Sequence, residues 1–248
     1  MPDDRAEYGD EDAQPTIAHL FADHGTEAEA LSTYGHVFRF TLNPRPNPYD
    51  AGAWELDLAD AMPAGDYDLA VLHPPCTRWS DMPDVDPDDH PDLIDRAREI
   101  GETIADDYVI ENKPAAWSER PESPSAVLDG RMFGLPIKYE RAFECSFDVQ
   151  QPARNARLGR SAETSPFFYS ERSHAWWKGV KGLRGDYPKE HVAKNALPMA
   201  YVDHLARNWL EATGAAAGVA DYSDYDARMN ERRAREANHS LEGFANAE

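Results

Sequence analysis

Asp68-Leu69-Ala70-Val71-Leu72-His73-Pro74-Pro75-Cys76-Thr77 is the stretch of the chain that decides its fold. Its apolar residues form a run of strand length, and the double proline cannot continue a hydrogen-bonded ladder. The side chain of Cys76 is therefore delivered at the carboxyl end of a buried strand. Because open α/β sheets bind ligands at the carboxyl ends of their strands, this thiol is a candidate nucleophile. The alternative interpretation is a cysteine that only fills space in the core.

A second stretch repeats this design. The apolar run Tyr108-Val109-Ile110 leads into Glu111-Asn112-Lys113-Pro114, so that polar side chains again follow a strand and precede a proline. The segment Gly134 to Glu144 then places Arg141 beside the apolar pair Ala142-Phe143. The two strand-end patterns predict a sheet with a thiol and a carboxylate at its ligand-binding edge.

In this order, Pro74-Pro75-Cys76, Glu111-Asn112, the Arg141 segment and a late segment, Lys194 to Tyr201, resemble the cytosine-C5 DNA methyltransferases. The likeness is strongest to the short forms carried by viruses of prokaryotes and runs from about residue 16 to residue 210. It implies a doubly wound, mostly parallel α/β sheet of the Rossmann-like, S-adenosylmethionine-dependent methyltransferase type. It also implies S-adenosyl-L-methionine as cofactor and double-stranded DNA as partner.

The resemblance assigns a role to each catalytic candidate. As a thiolate, Cys76 would add to C6 of a cytosine flipped out of the duplex. Glu111, protonated or sharing a proton, would donate to N3 of the base. Arg141 would hold the O2 side and favour the thiolate. Pro75 and Asn112 belong to the implied substrate-binding set.

The implied cofactor contacts include two departures from the family pattern. The contacts fall on Phe21, Gly25, Thr41, Asp57, Pro74 and Asn195. Asp23 stands where the family usually has glycine, and Thr41 stands where it has an acid that accepts hydrogen bonds from ribose hydroxyls. The alternative function is therefore a catalytically inactive DNA-binding or decoy protein with a methyltransferase fold. Cofactor affinity discriminates between the two functions.

The charge of the chain is strongly negative, with 25 Lys and Arg against 46 Asp and Glu and a formal net charge of −21. We interpret this acidity as halophilic adaptation, because a carboxylate-rich surface stays hydrated in molar salt while self-repulsion is screened. Residues 150–187 differ, since basic residues alternate there with aromatic ones. This segment is expected to form a short, target-recognition-like DNA face whose phosphate contacts are Arg154, Arg157, Arg160, Lys178 and Lys181. The alternative is a loop packed by its own aromatics, with its arginines paired to carboxylates.

The remaining segments complete the expected organisation. Residues 1–14 form a disordered acidic arm, 15–149 the catalytic core, 188–213 a C-terminal helical part of that core and 214–248 a flexible charged tail. Cys76 and Cys145 are the only cysteines, so we expect no disulfide framework. We expect the protein to reside in a reducing cytoplasm. We expect a monomer without membrane association or a metal ion. A further alternative is an unrelated thiol enzyme in which Cys76 pairs with His73 or His90.

Overall fold

The computed structural model describes residues 14–80, 84–153 and 164–214. Within these ranges the chain forms a sheet of seven strands. The strands are β1 (Thr16–Leu20), β2 (His36–Thr41), β3 (Gly52–Glu55), β4 (Tyr67–Leu72), β5 (Ala105–Asn112), β6 (Ala126–Leu128) and β7 (Arg141–Cys145). The apolar runs predicted to precede Cys76 and Glu111 are β4 and β5.

The strand order is β3-β2-β1-β4-β5-β7-β6. Strand β7 runs antiparallel to both of its neighbours, and the other pairs are parallel. The order reverses beside β1, where β2 lies on one side and β4 on the other. Ligands bind at such a topological switch point in doubly wound sheets. This is the Rossmann-like fold of S-adenosylmethionine-dependent methyltransferases, as predicted.

Helices cover both faces of the sheet. They are α1 (Ala28–Leu31), α2 (Ile94–Ile104), α3 (His174–Lys181), α4 (Lys189–Lys194) and α5 (Met199–Thr213). Because side chains alternate along a strand, Ile17 of β1 joins the core beneath α1, α3, α4 and α5, whereas Ala18 joins the core beneath α2. None of the described helices is both long and apolar enough to cross a membrane.

Helix α1 is short: it spans only Ala28–Leu31, and Glu27, the residue before it, is buried in the core. The C-terminal helical part expected over residues 188–213 contains two helices, α4 and α5. Pro198 separates them, since proline lacks the amide proton that a continuous helix requires.

Candidate active site

Cys76 and Glu111 lie at the carboxyl ends of adjacent strands, as the sequence predicts. Cys76 follows β4 after the two prolines and is partly exposed, while Glu111 is the penultimate residue of β5 and is buried. The side-chain amide of Asn112 donates to the carbonyl of Pro74 at 2.9 Å and so ties the proline turn to β5. Asn112 therefore positions the Cys76 loop in this structure. Pro74 is buried within the turn and Pro75 is exposed.

The carboxylate of Glu111 lies between two basic side chains. Its Oε1 is 2.8 Å from Nε of Arg141, and its Oε2 is 3.1 Å from Nδ1 of His73. Burial alone would lower the pKa of His73, but the hydrogen bond to Glu111 and the charge of Glu27 outweigh burial, so the pKa is raised. Neither ring nitrogen of His73 bonds to the thiol of Cys76, so the Cys76–His73 pair of the thiol-enzyme alternative is absent from the described residues.

Arg141 is held by Tyr139 and by the last residue of α4, Lys194, whose carbonyl accepts from Nη2 at 3.3 Å. Its guanidinium carbon lies 4.1 Å from the ring centroid of Tyr139, and Nη2 donates to the Tyr139 hydroxyl at 3.0 Å. Burial would lower the pKa of Arg141, but its interactions with Tyr139 and Glu111 raise it. Arg141 therefore lies beside the Glu111 carboxylate, on the strand next to β5.

Lys181 is not a surface cation, which corrects its predicted role in binding phosphate. The side chain is only 1% exposed, and Nζ lies 3.6 Å above the Tyr139 ring and donates to the carbonyls of Ala193 and Ala196. Burial, together with the charge of Arg141, lowers the pKa of Lys181 well below its usual value. Lys181 therefore packs against the Tyr139 ring inside the protein, and its side chain is not accessible to DNA.

The same face of the sheet carries polar residues that sequence reasoning missed. His19 of β1 is completely buried, and its Nε2 lies 3.6 Å from Oε2 of the buried Glu27. Burial and the charge of His73 lower the pKa of His19 to about 3, so its imidazole is neutral. The sequence feature that could have revealed this buried cluster is His19 itself, a histidine within a mostly apolar strand.

The loop after β1, which the resemblance assigns to the cofactor, is wrapped around Arg39. The guanidinium of this fully buried arginine donates to the carbonyls of Ala22 and Asp23 and pairs with Asp50 at 2.8 Å. Gly25 adopts a positive φ of 60°, and a Cβ there would lie 2.7 Å from Cδ of Arg39. The glycine therefore permits the close approach of a protein side chain.

The end of β2 presents a carboxylate despite Thr41. The Thr41 hydroxyl donates to Oδ1 of Asp23, which also accepts from the amide of Asn43 at 3.3 Å. Asp23 is exposed, and the neighbouring Leu42 is 61% exposed. A carboxylate beside an apolar surface suits a ribose diol attached to a flat base, so the described residues fit an adenosine group.

The other predicted cofactor contacts lie around this edge of the sheet. Asp57 and Asn195 are exposed, and Phe21 adopts a positive φ of 59° directly after β1. The carbonyl of Asn195 accepts from the Tyr139 hydroxyl at 3.0 Å.

The predicted DNA segment divides into a buried part and an exposed part. Trp176 and Trp177 of α3 belong to the core, which agrees with the alternative of a segment packed by its aromatics. Phe167 and Phe168, by contrast, are 67% and 50% exposed. Lys178 is partly exposed and donates to the carbonyl of Arg184. Arg154, Arg157 and Arg160 lie outside the described residues.

Comparisons with known proteins add little to this geometry. No family model matches the chain, and no curated protein matches it. Among solved structures, the S. pombe Dnmt2 methyltransferase is 14% identical and similar over 66% of this chain and 59% of its own, with a TM-score of 0.39. A DhpI–SAM–HEP complex is 10% identical over 60% of this chain and 68% of that chain, with a TM-score of 0.30.

The Thermoplasma acidophilum 1320 protein is 17% identical over 42% of this chain and 55% of that chain, also with a TM-score of 0.30. This chain thus spans little more than half of two of these structures. At such low similarity the activity must be argued from the site itself.

Proposed function

We propose that this protein is a DNA (cytosine-5-)-methyltransferase that acts through a covalent adduct between Cys76 and C6 of a flipped cytosine. The observation that carries the proposal is the Glu111–Arg141 pair, whose atoms lie 2.8 Å apart at the end of the strand adjacent to the Cys76 loop. The pair supplies an acid and a cation for the same side of a pyrimidine, while the neighbouring strand supplies a soft nucleophile.

Each residue has one step in the proposed reaction. The Cys76 thiolate forms a bond to C6, and the ring electrons move toward N3, where the acid formed by Glu111 and His73 supplies a proton. Arg141 binds the O2 side of the base and stabilises the negative charge that develops there. Once C5 carries the methyl group, its proton passes to water and the N3 proton returns to Glu111, so that the thiolate is expelled and the aromatic ring is restored. S-adenosylmethionine, when bound, would supply the electrophilic methyl group that C5 acquires.

The cofactor would bind at the edge formed by β1 and β2. Asp23, held by Thr41 and Asn43 at the end of β2, would accept hydrogen bonds from the ribose, and the exposed Leu42 would contact the adenine. In this proposal the acid that normally ends β2 has moved to the loop after β1. The departures at residues 23 and 41 thus compensate one another.

The test uses Cys76→Ser with Cys145→Ser as the matched control. Tritiated methyl transfer to mixed-sequence DNA should fall to background in Cys76→Ser and persist in Cys145→Ser, because Cys145 packs against the core in β7. In the presence of S-adenosylmethionine, DNA containing 5-fluorocytosine should form an adduct that survives denaturation with the wild-type protein and with Cys145→Ser, but not with Cys76→Ser. Full activity in Cys76→Ser, with circular dichroism unchanged, would refute the assignment.

One observation favours the inactive DNA-binding alternative. The loop carbonyls that surround Arg39 are already engaged within the protein, which limits what this loop offers a ligand. A folded wild-type protein that binds DNA but neither S-adenosylmethionine nor S-adenosylhomocysteine in a calorimetric titration would establish that function.

A further inference from the structure

Three side chains of metal-binding type converge beside the Glu111–Arg141 pair, although we expected no metal ion from the sequence. They are His19 of β1, Glu27 just before α1 and His73 just after β4. One potential ligand atom from each lies within 4.8 Å of the other two. Residues from three separate elements therefore face a common point inside the protein.

Buried nitrogen atoms in this cluster lack partners. Both ring nitrogens of His19 and the Nε2 of His73 make no hydrogen bond within the described parts of the chain, and His19 is 0% exposed. An unsatisfied buried polar group costs about 1–3 kcal/mol. A neutral imidazole has one nitrogen with a free lone pair, so each of these histidines can offer one nitrogen to a cation.

Glu27 is anchored by one oxygen and presents the other. Its Oε1 accepts from the amide of Leu197 at 3.0 Å and from the hydroxyl of Thr26 at 2.9 Å. Its Oε2 faces His19 Nε2 at 3.6 Å. The carboxylate is therefore held in place with one oxygen available for a cation.

A second carboxylate fixes the orientation of His73. Glu111 Oε2 lies 3.1 Å from Nδ1, and Arg141 holds the other oxygen of Glu111. A histidine that donates Nδ1–H to a carboxylate offers the lone pair of Nε2, which is the usual arrangement of a metal-binding histidine. The outer shell of a metal site is thus present.

We propose that His19, Glu27 and His73 bind a divalent transition-metal ion, with Zn²⁺ the best match. Two ligands about 2.1 Å from one ion lie at most about 4.2 Å apart, so the His19–Glu27 separation already fits and His73 needs only a small adjustment. Two imidazoles and one carboxylate suit zinc, with water in a fourth position. Mg²⁺ is disfavoured because it prefers oxygen ligands.

The bound ion would act as a positioning group for Glu111. It would bind the Nε2 lone pair of His73 and would join β1, β4 and the segment before α1 through one centre. The orientation of His73, and through it that of Glu111 and Arg141, would then depend on the metal. The site itself requires neither DNA nor methyl donor, so it stands whether or not the proposed function holds.

The test is metal binding by the full chain without an affinity tag. After removal of metals with EDTA, calorimetry should show one equivalent of Zn²⁺ bound, and Co²⁺ should give the intense visible absorption of a four-coordinate site. Glu27→Gln keeps an oxygen for the Leu197 amide but removes the charge, and His19→Gln removes a ligand. Each substitution should weaken the affinity for Zn²⁺ at least about 100-fold. His36→Gln, at an exposed histidine of β2, should leave the affinity unchanged.

X-ray absorption on zinc-loaded wild-type protein makes the test independent of how well the variants fold. The proposal expects two imidazole nitrogens, light oxygen ligands and no sulfur. A sulfur ligand would place the ion at a cysteine instead and would overturn the proposal. Failure of the wild-type protein to bind Zn²⁺, or equal binding by the folded Glu27→Gln and His36→Gln variants, would overturn it as well.

Discussion

At the scale of single residues, the site is shaped by buried polar groups whose partners lie far away in the sequence. Glu27 meets the amide of Leu197, and Arg39 closes the loop after β1. A charged residue in a sequence is read as surface by default, because isolated buried charges are costly. Here each charge is compensated by a partner that only the fold brings close. The fold likewise brings Asp23, in the loop after β1, to the hydroxyl of Thr41 at the end of β2.

Asp23→Asn should weaken the affinity for S-adenosylmethionine about tenfold or more, because a charged acceptor for the ribose becomes neutral. Calorimetric titration of wild type and variant measures the change. Asp60→Asn, at another exposed aspartate, is the matched control and should leave affinity unaltered. If both variants bind like wild type, Asp23 has no role in holding the cofactor.

At the scale of elements, the strands that carry Cys76 and Glu111 were predictable and the contacts between them were not. The sequence of helix α2 also carries a regular pattern, because its buried residues recur at helical spacing. Strand β3 escaped prediction, since three of its four residues are exposed and no apolar alternation marks it. Lys181 was misjudged for a related reason: its position on α3 faces the core, which composition cannot reveal.

Residues 164–187 contain two kinds of aromatic residue, and substitutions should separate them. Trp177→Ala should destabilise the protein by about 3–5 kcal/mol, because this fully buried ring packs in the core. Replacing Phe167 and Phe168 by alanine should change the unfolding free energy by less than about 0.5 kcal/mol. The measurement is urea unfolding followed by circular dichroism.

The exposed pair should instead contribute to DNA binding. Loss of stacking on Phe167 and Phe168 is expected to weaken binding of DNA with an unpaired cytosine by about 1–3 kcal/mol per stacked base. Fluorescence anisotropy with labelled DNA measures this effect. Unchanged affinity in the folded double variant would remove these residues from the proposed DNA face.

At the scale of the whole molecule, the net charge of −21 means that added salt should stabilise the fold but weaken the proposed DNA binding. Repulsion between carboxylates opposes the compact state, and the Debye length falls from about 10 Å at 0.1 M to about 3 Å at 1 M. The contacts of Lys and Arg with phosphate weaken over the same range. A DNA-binding protein of this composition must therefore rely on base contacts and stacking more than on phosphate contacts.

The midpoint of thermal unfolding should consequently rise by at least about 5 °C between 0.1 M and 2 M KCl, which corresponds to roughly 1–2 kcal/mol for a chain of this size. Differential scanning calorimetry measures the rise, and glycine betaine at matched osmolality is the non-ionic control. Screening predicts a larger effect of KCl than of betaine, concentrated at the lower salt concentrations where the Debye length changes most. Equal effects would mean that solute exclusion, and not charge, links stability to salt. The acidity of the chain would then have to be explained by something other than adaptation to molar salt.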